Sequence, residues 1–270
     1  MSMERVAEDG LVLLGCGKMG SAMLAGWLSD GLPPSSVWVI DPKPSDWVQG
    51  TGVHVNAALP AAPAIVLIAV KPQMMGDALP QIAAMEGAVF LSVAAGTSIA
   101  SFEAVFGAGA KVIRAMPNTP AAVGKGITAI IGNAQAAGED LDMAEMLLSA
   151  VGQVVRLDNE DQMDAVTGVS GSGPAYVFHM IECMAAAGEA EGLAPDLAMQ
   201  LAKATVAGAG ALAEAADESP AQLRVNVTSP NGTTQAGLEV LMDEEAGLPP
   251  LMRATVGAAT NRSKELKRDG

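Results

Sequence analysis

Two stretches of the chain carry residue types that could do chemistry. The first is Gly15-Cys16-Gly17-Lys18-Met19-Gly20. The apolar run Leu11-Val12-Leu13-Leu14 precedes it, and Met23, Leu24, Trp27 and Leu28 follow at helical spacing. Glycines between a strand and a helix allow a tight turn and let backbone N–H groups approach a pyrophosphate at the helix N-terminus. A second apolar run, Val37 to Ile40, ends on an acid, Asp41, where a dinucleotide-binding unit carries the residue that meets the adenosine ribose. An acid there accepts from a ribose diol and repels a 2′-phosphate, which favours NAD. Lys43 lies two residues on and either serves a phosphate or is a solvated surface lysine. Cys16 reads as a small filler between glycines rather than as a reactive thiol.

The second stretch runs from Thr228 to Leu241. Ser229-Pro230-Asn231-Gly232 is turn chemistry: proline fixes φ, and Asn-Gly tolerates left-handed backbone. Thr233 and Thr234 can cap the short helical pattern of Ala236, Val240 and Leu241. Free N–H groups at such a helix start, with the positive end of its dipole, suit a carboxylate or a phosphate. An ordinary capped helix would show the same residues.

These stretches need elements to hold them. Ile65 to Val70, Ala88 to Val93 and Lys111 to Met116 are apolar runs closed by Lys71-Pro72, by Ala94-Ala95-Gly96-Thr97 and by Pro117-Asn118-Thr119-Pro120. Continuous apolar strands separated by helix-length segments predict a parallel sheet covered on both faces, with ligands at the strands' carboxyl ends. Ile127 to Ile131 and Gln153 to Leu157 read as further strands flanking a helix around Leu141 to Val151. Residues ahead of Leu11 read as a frayed tail. From Glu160 the pattern is Ala- and Met-rich helix: Tyr176 to Gly192 started by Pro174, Pro195 to Ala216, and Leu251 to Lys267. The last closes on Arg262, Lys264, Lys267 and Arg268, cations at the negative end of its dipole. Thr167 to Pro174 reads as a flexible small-residue segment. The helices' apolar faces are plausible dimer surfaces, although methionine stripes also serve as plain core.

Composition narrows the classes. Half of the 270 residues are hydrophobic but only 3% aromatic, so the core must be built from Ala, Val, Leu, Ile and Met. A net charge of −15 argues against a nucleic-acid partner, which needs basic surface. Cys16 and Cys183 suggest no disulfide, and His54 and His179 lack the neighbours of a metal site. No secretory leader and no membrane-spanning stretch is legible, so the expected location is cytoplasmic.

The chain resembles the pyrroline-5-carboxylate reductases, which catalyse the last step of proline biosynthesis, over nearly its full length. Gly15 to Gly20, Ala69-Val70-Lys71-Pro72, Arg114 to Pro120 and Val169 to Tyr176 carry the resemblance. Leu223 to Asp243 carries it most specifically, around the core Ser229-Pro230-Asn231-Gly232-Thr233-Thr234. The resemblance implies an α/β protein. A Rossmann domain at residues 1–158 would bind NADPH or NADH, and an all-α domain at 159–270 would bind substrate and interlock with a second subunit in a homodimer or higher homo-oligomer. It implies a carboxylate cradle at Ser229 and the backbone of Gly232 and Thr233, an imine-facing hydroxyl at Thr234, and Glu160 and Asn226 near substrate and cofactor. Asn56 would meet the adenosine, and Ala69 to Pro72 with Ala94, Ala95 and Gly96 would run along the cofactor. Two positions depart from the family pattern. Asn231 stands where relatives carry glycine, a change that a positive φ tolerates in Asn. Asp41 stands where many NADPH-preferring relatives are neutral, which leaves the choice of cofactor open.

Two rival readings share this layout. A β-hydroxyacid dehydrogenase would place a catalytic lysine soon after a glycine-rich segment, yet the next lysine after Gly173 is Lys203. A nicotinamide-binding sensor would keep the glycine motif without turnover, and the intact Ser229-to-Thr234 loop argues against it.

Overall fold

The computed structural model describes residues 2–136 and 138–269, with backbone alone at Ser2, Arg268 and Asp269. The Arg268 side chain named above therefore lies outside the described residues. The chain runs α1 (Ser2–Asp9), β1 (Leu11–Leu14), α2 (Lys18–Ser29), β2 (Val37–Ile40), α3 (Asp46–Gly50), β3 (His54–Val55), β4 (Ile65–Ile68), α4 (Met75–Ala78), β5 (Val89–Ser92), α5 (Ile99–Phe106), β6 (Lys111–Met116) and β7 (Gly126–Gly132). It continues with α6 (Glu139–Ser149), β8 (Gly152–Arg156), α7 (Gln162–Val166), α8 (Gly173–Ala190), α9 (Pro195–Ala215), α10 (Pro220–Asn226), α11 (Thr233–Leu241) and α12 (Leu248–Asp269).

The strands form one sheet in the order β3-β2-β1-β4-β5-β6-β7-β8. Strand order reverses between β1 and β4, the kind of switch point beside which such sheets bind ligands. Both faces are covered, as the apolar runs require. Leu11 and Leu13 pack with Met23, Leu24 and Trp27 on one face. Val12 and Leu14 pack with Met75, Leu79 and Phe102 on the other. The period-2 alternation of side chains thus feeds two cores from one strand. Trp27 is fully buried and donates its indole N–H to the Leu147 carbonyl at 2.8 Å.

Three local features differ from the expectation. Residues ahead of β1 are not frayed: α1 buries Val6 completely, and Ser36 Oγ donates to the Ala7 carbonyl at 2.8 Å. Met3 and Ala7 pack against the same core as Val6, and this burial orders a segment too short to signal itself. Next, β7 pairs antiparallel with β6, whereas all other neighbours are parallel. A parallel return needs a crossover of about a dozen or more residues; the short link 117–125, tightened by Gly124 at φ 69, can only fold straight back. The span from β7 to β8 holds α6, and there the pairing is parallel again. Last, Thr167–Gly171 is a π-helical turn joined to α7 rather than a flexible linker. Thr167 Oγ1 donates to the Met163 carbonyl at 2.9 Å and Ser170 Oγ to the Val166 carbonyl at 3.1 Å. Hydroxyls that suggest a loop in sequence are here spent bonding back onto the helix.

By packing, the chain divides into Met1–Ser172 with Ala259–Gly270, and Gly173–Ala258. In the first unit Ser263 Oγ donates to Asp164 Oδ1 at 2.7 Å, both residues buried. The second unit contains α8 to α11 and the start of α12. Its small core is Ala185, Ala198 and Ala202. A Cβ on Gly188 would sit 3.4 Å from the Ala198 Cβ, so small residues let α8 and α9 approach closely. Phe178, Met180, Leu197, Leu201 and Leu212 remain exposed on these helices.

Candidate active site

The first unit gathers the predicted cofactor residues at the carboxyl ends of its strands. Gly15 follows β1 at φ 89, a conformation that favours glycine, and its N–H donates to the Ile40 carbonyl at 2.8 Å. A Cβ on Gly15 would meet Val70 Cγ1 at 2.9 Å, and one on Gly20 would meet the Gly15 carbonyl oxygen at 2.5 Å. Gly17 is different: nothing lies within 4 Å of its Cβ direction. Gly15 and Gly20 therefore serve close packing of strand, loop and helix, and Gly17 leaves open space. Gly17 is also the N-cap of α2, with no side chain capping it. The first N–H groups of α2, at Lys18 and Met19, have no acceptor inside the helix. This cradle fits a dinucleotide pyrophosphate. Ser21, a helix residue with no motif of its own to mark it, braces the loop by donating from Oγ to the Cys16 carbonyl at 2.9 Å.

Cys16 is buried. Burial pushes its thiol pKa up, the Asp41 charge adds to that, and the Ser21 hydrogen bond works against both. A raised pKa keeps the thiol protonated at neutral pH, as a packing residue should be.

Asp41 and Asn56 stand at the ends of β2 and β3. Asn56 Nδ2 donates to the Asp41 carbonyl at 2.8 Å, and the Asp41 N–H donates to Asn56 Oδ1 at 3.0 Å. The Asp41 carboxylate accepts from the Cys16 N–H at 2.7 Å and from the Lys43 N–H at 2.8 Å. Lys43 itself is exposed. Beyond β4 and β5, Ala69 and Val70 are half-buried, Lys71 and Pro72 exposed, and Ala94 buried ahead of exposed Ala95 and half-buried Gly96. A cavity of about 620 Å³ touches Pro72, Ala95 and Gly96, and its wall includes the apolar Met75, Leu79 and Phe102.

Glu160, also in the first unit, is committed to a partner. Arg114 sits on β6 with only 2% of its surface exposed and donates to Glu160 Oε1 at 2.8 Å. The Ile99 N–H donates to the same oxygen at 3.0 Å. The sequence held a signal for this pair: an arginine inside an apolar strand run needs a buried acid.

In the second unit, Ser229 to Gly232 forms the expected turn, with the Gly232 N–H donating to the Ser229 carbonyl at 3.0 Å. Asn231 has φ 58, and proline second with a positive φ third is what a type II turn requires. Replacing Asn231 with glycine should leave stability within about 0.5 kcal/mol, whereas valine should cost about 1–2 kcal/mol through the left-handed backbone. Urea midpoints of the two variants check this, and a neutral valine would contradict it. The threonines do not cap α11. Gly232 is its N-cap, no side chain caps it, and Thr233 and Thr234 occupy the first two helical positions, exposed. Gln235, missed in the sequence, stabilises this start by accepting from the Asn231 N–H through Oε1 at 2.8 Å. Its position three residues after the N-cap is the signal that would have found it. Asn226 closes α10, and its Oδ1 accepts from Gln222 Nε2 at 2.8 Å.

Comparisons with known proteins bear on the family and the fold. Residues 160–266 match the family model described as pyrroline-5-carboxylate reductase dimerisation, and residues 11–96 match NADP oxidoreductase coenzyme F420-dependent. A pyrroline-5-carboxylate reductase of Pseudomonas aeruginosa is 37% identical, covering 98% of each chain. The chain belongs to the pyrroline-5-carboxylate reductase family. A solved pyrroline-5-carboxylate reductase of Coxiella burnetii superposes with a TM-score of 0.90 at 32% identity, covering 96% of this chain and 98% of its own. A Plasmodium falciparum pyrroline carboxylate reductase, solved with NADP bound, gives 0.80 at 27% identity, covering 96% and 98%. The α/β fold with a helical dimerisation region is thus that of the family. Among the described residues no helix is long and apolar enough to cross a membrane.

Proposed function

We propose that this chain reduces 1-pyrroline-5-carboxylate to L-proline with NADH or NADPH, the final step of proline biosynthesis, in the cytoplasm and as a homo-oligomer. The carrying observation is the uncapped start of α11, opened by the Ser229–Gly232 turn. Residues 1–158 would hold the dinucleotide and 159–270 the substrate and the second subunit.

The bound nicotinamide supplies the hydride; the protein must orient the rings and hold the charges. In the cofactor unit the loop at Gly15 to Gly20 would hold the pyrophosphate at the start of α2. Ala69 to Pro72 and Ala94 to Gly96 would line the dinucleotide. In the substrate region, Ser229 with the N–H of Thr233 at the helix start receives the substrate carboxylate, helped by the dipole of α11. The Gly232 N–H is already engaged by Ser229, so the cradle rests on the first helical N–H groups and the Ser229 hydroxyl. Thr234, exposed at the second helical position, offers its hydroxyl to the ring nitrogen. Within the first unit Glu160 holds Arg114 and the start of α5; within the second, Asn226 closes the helix ahead of the loop.

Oxidation of NADH and of NADPH with pyrroline-5-carboxylate as acceptor tests the reading directly. Turnover with either supports it, and cofactor binding without turnover would instead make the chain a nicotinamide-binding protein. Thr234→Ala should lose about 1–3 kcal/mol of transition-state stabilisation, roughly 10- to 100-fold in kcat/KM. A kinetically silent variant would remove Thr234 from the mechanism.

A further inference from the structure

We propose that the end of α12 forms an outer wall of the dinucleotide site, with Leu266 as a binding residue from outside the cofactor loops. The proposal rests on the reading that the first unit binds a nicotinamide dinucleotide.

The loop after β5 lacks support of its own. The Val93 N–H still donates to the Ile68 carbonyl at 3.1 Å, and the Ala94 N–H donates to Ser92 Oγ at 3.2 Å. Beyond them, among the described residues, no backbone hydrogen bond ties Ala95, Gly96 or Thr97 before Ser98 caps α5. The Thr97 hydroxyl reaches Met75 Sδ at 3.6 Å, and a thioether is a weak acceptor. Gly96 has φ 77, a conformation that favours glycine. Free N–H groups at a strand's carboxyl end suit a ligand, but packing must hold them still.

The end of α12 supplies that packing. A Cβ on Gly96 would lie 3.5 Å from the Leu266 Cβ, so the helix passes directly over the left-handed residue of the loop. Ser263, Leu266 and Lys267 share one face of α12 by their spacing. Ser263 donates to Asp164 at 2.7 Å, both residues buried, and Lys267 Nζ lies 3.9 Å from Asp161 Oδ1. The turn that carries Leu266 is thereby fixed to α7 and its N-cap, before and after the leucine. Leu266 nonetheless stays 46% exposed. It lines the cavity of about 620 Å³ that also touches Pro72, Ala95 and Gly96. An open apolar side chain beside unengaged backbone donors fits the face of a dinucleotide ring, which would take it out of water.

A pair of variants of opposite charge tests this by calorimetric titration of the full-length enzyme with NAD⁺ and with NADP⁺. Both dinucleotides are anions through their pyrophosphate. Leu266→Glu and Leu266→Lys lose the same apolar contact, so any difference between them reports the charge of a ligand close by. At about 0.15 M salt, charges more than about 8 Å apart are largely screened. For the dinucleotide that the wild type binds more tightly, the dissociation constant of the glutamate variant should exceed that of the lysine variant by roughly tenfold. The position is exposed, so both proteins should melt within about 2 °C of the wild type. Equal dissociation constants in the two variants, with the wild type binding, would overturn the proposal and leave the cofactor reading standing. A wild type that binds neither dinucleotide would overturn that reading, and the proposed wall with it.

Discussion

Glu160→Ala is expected to destabilise the protein by about 3–5 kcal/mol, the scale seen when one member of a buried ion pair is removed. Arg114 is 2% exposed and Glu160 Oε1 is its acceptor at 2.8 Å. Alanine would leave a guanidinium buried on β6, between neighbours chosen to pack rather than to solvate. The same change frees the Ile99 N–H at the start of α5. For a chain of this size the thermal midpoint should fall by roughly 6–20 °C. The double variant Glu160→Ala with Arg114→Met should recover much of that loss, because removing both charges leaves an apolar site. If the single variant melts like the wild type and only KM rises, Glu160 belongs to the substrate and not to the architecture.

Gly20→Ala is the second large effect. Its Cβ would lie 2.5 Å from the Gly15 carbonyl oxygen, and Gly15 cannot retreat because its N–H is bound to Ile40 and Val70 lies behind it. Overpacking of this kind costs about 1–3 kcal/mol. We expect it as lost stability together with roughly 10- to 100-fold weaker dinucleotide binding, since α2 must move off the loop. Gly17→Ala separates the two consequences. With open space around its Cβ, it should fold with wild-type stability and lose cofactor affinity alone. Urea unfolding and calorimetry on both variants decide the matter. A Gly17→Ala protein that binds as tightly as the wild type would mean that no pyrophosphate approaches the loop there.

The contrast between those two glycines shows where sequence reading stopped. The motif Gly15-x-Gly17-x-x-Gly20 placed three glycines between a strand and a helix, and that spacing carries the chemistry of a phosphate turn. It could not say which glycine packs and which leaves room, because that depends on Val70 and on the Gly15 carbonyl. The same limit applies to Thr233 and Thr234. Their type and place predict capping, but a cap is set by where the helix begins, and Gly232 took that position. Arg114 was visible as part of a motif, yet its partner lies 46 positions away, beyond the reach of local pattern.

What the sequence determined by itself was everything governed by periodicity and local backbone preference. The apolar runs set the strands, Ala-rich segments set the long helices, the glycine motif set the turn between β1 and α2, and Ser229 to Thr234 located a turn opening a helix. What only the tertiary structure decided was everything that depends on the energy of burial between distant residues. Val6 ordered the N-terminal helix by reaching the core. The short link after β6 forced β7 to run back against it. The Asp41 carboxylate accepts from the Cys16 N–H because β1 and β2 lie side by side, a pairing that no local pattern in either segment sets.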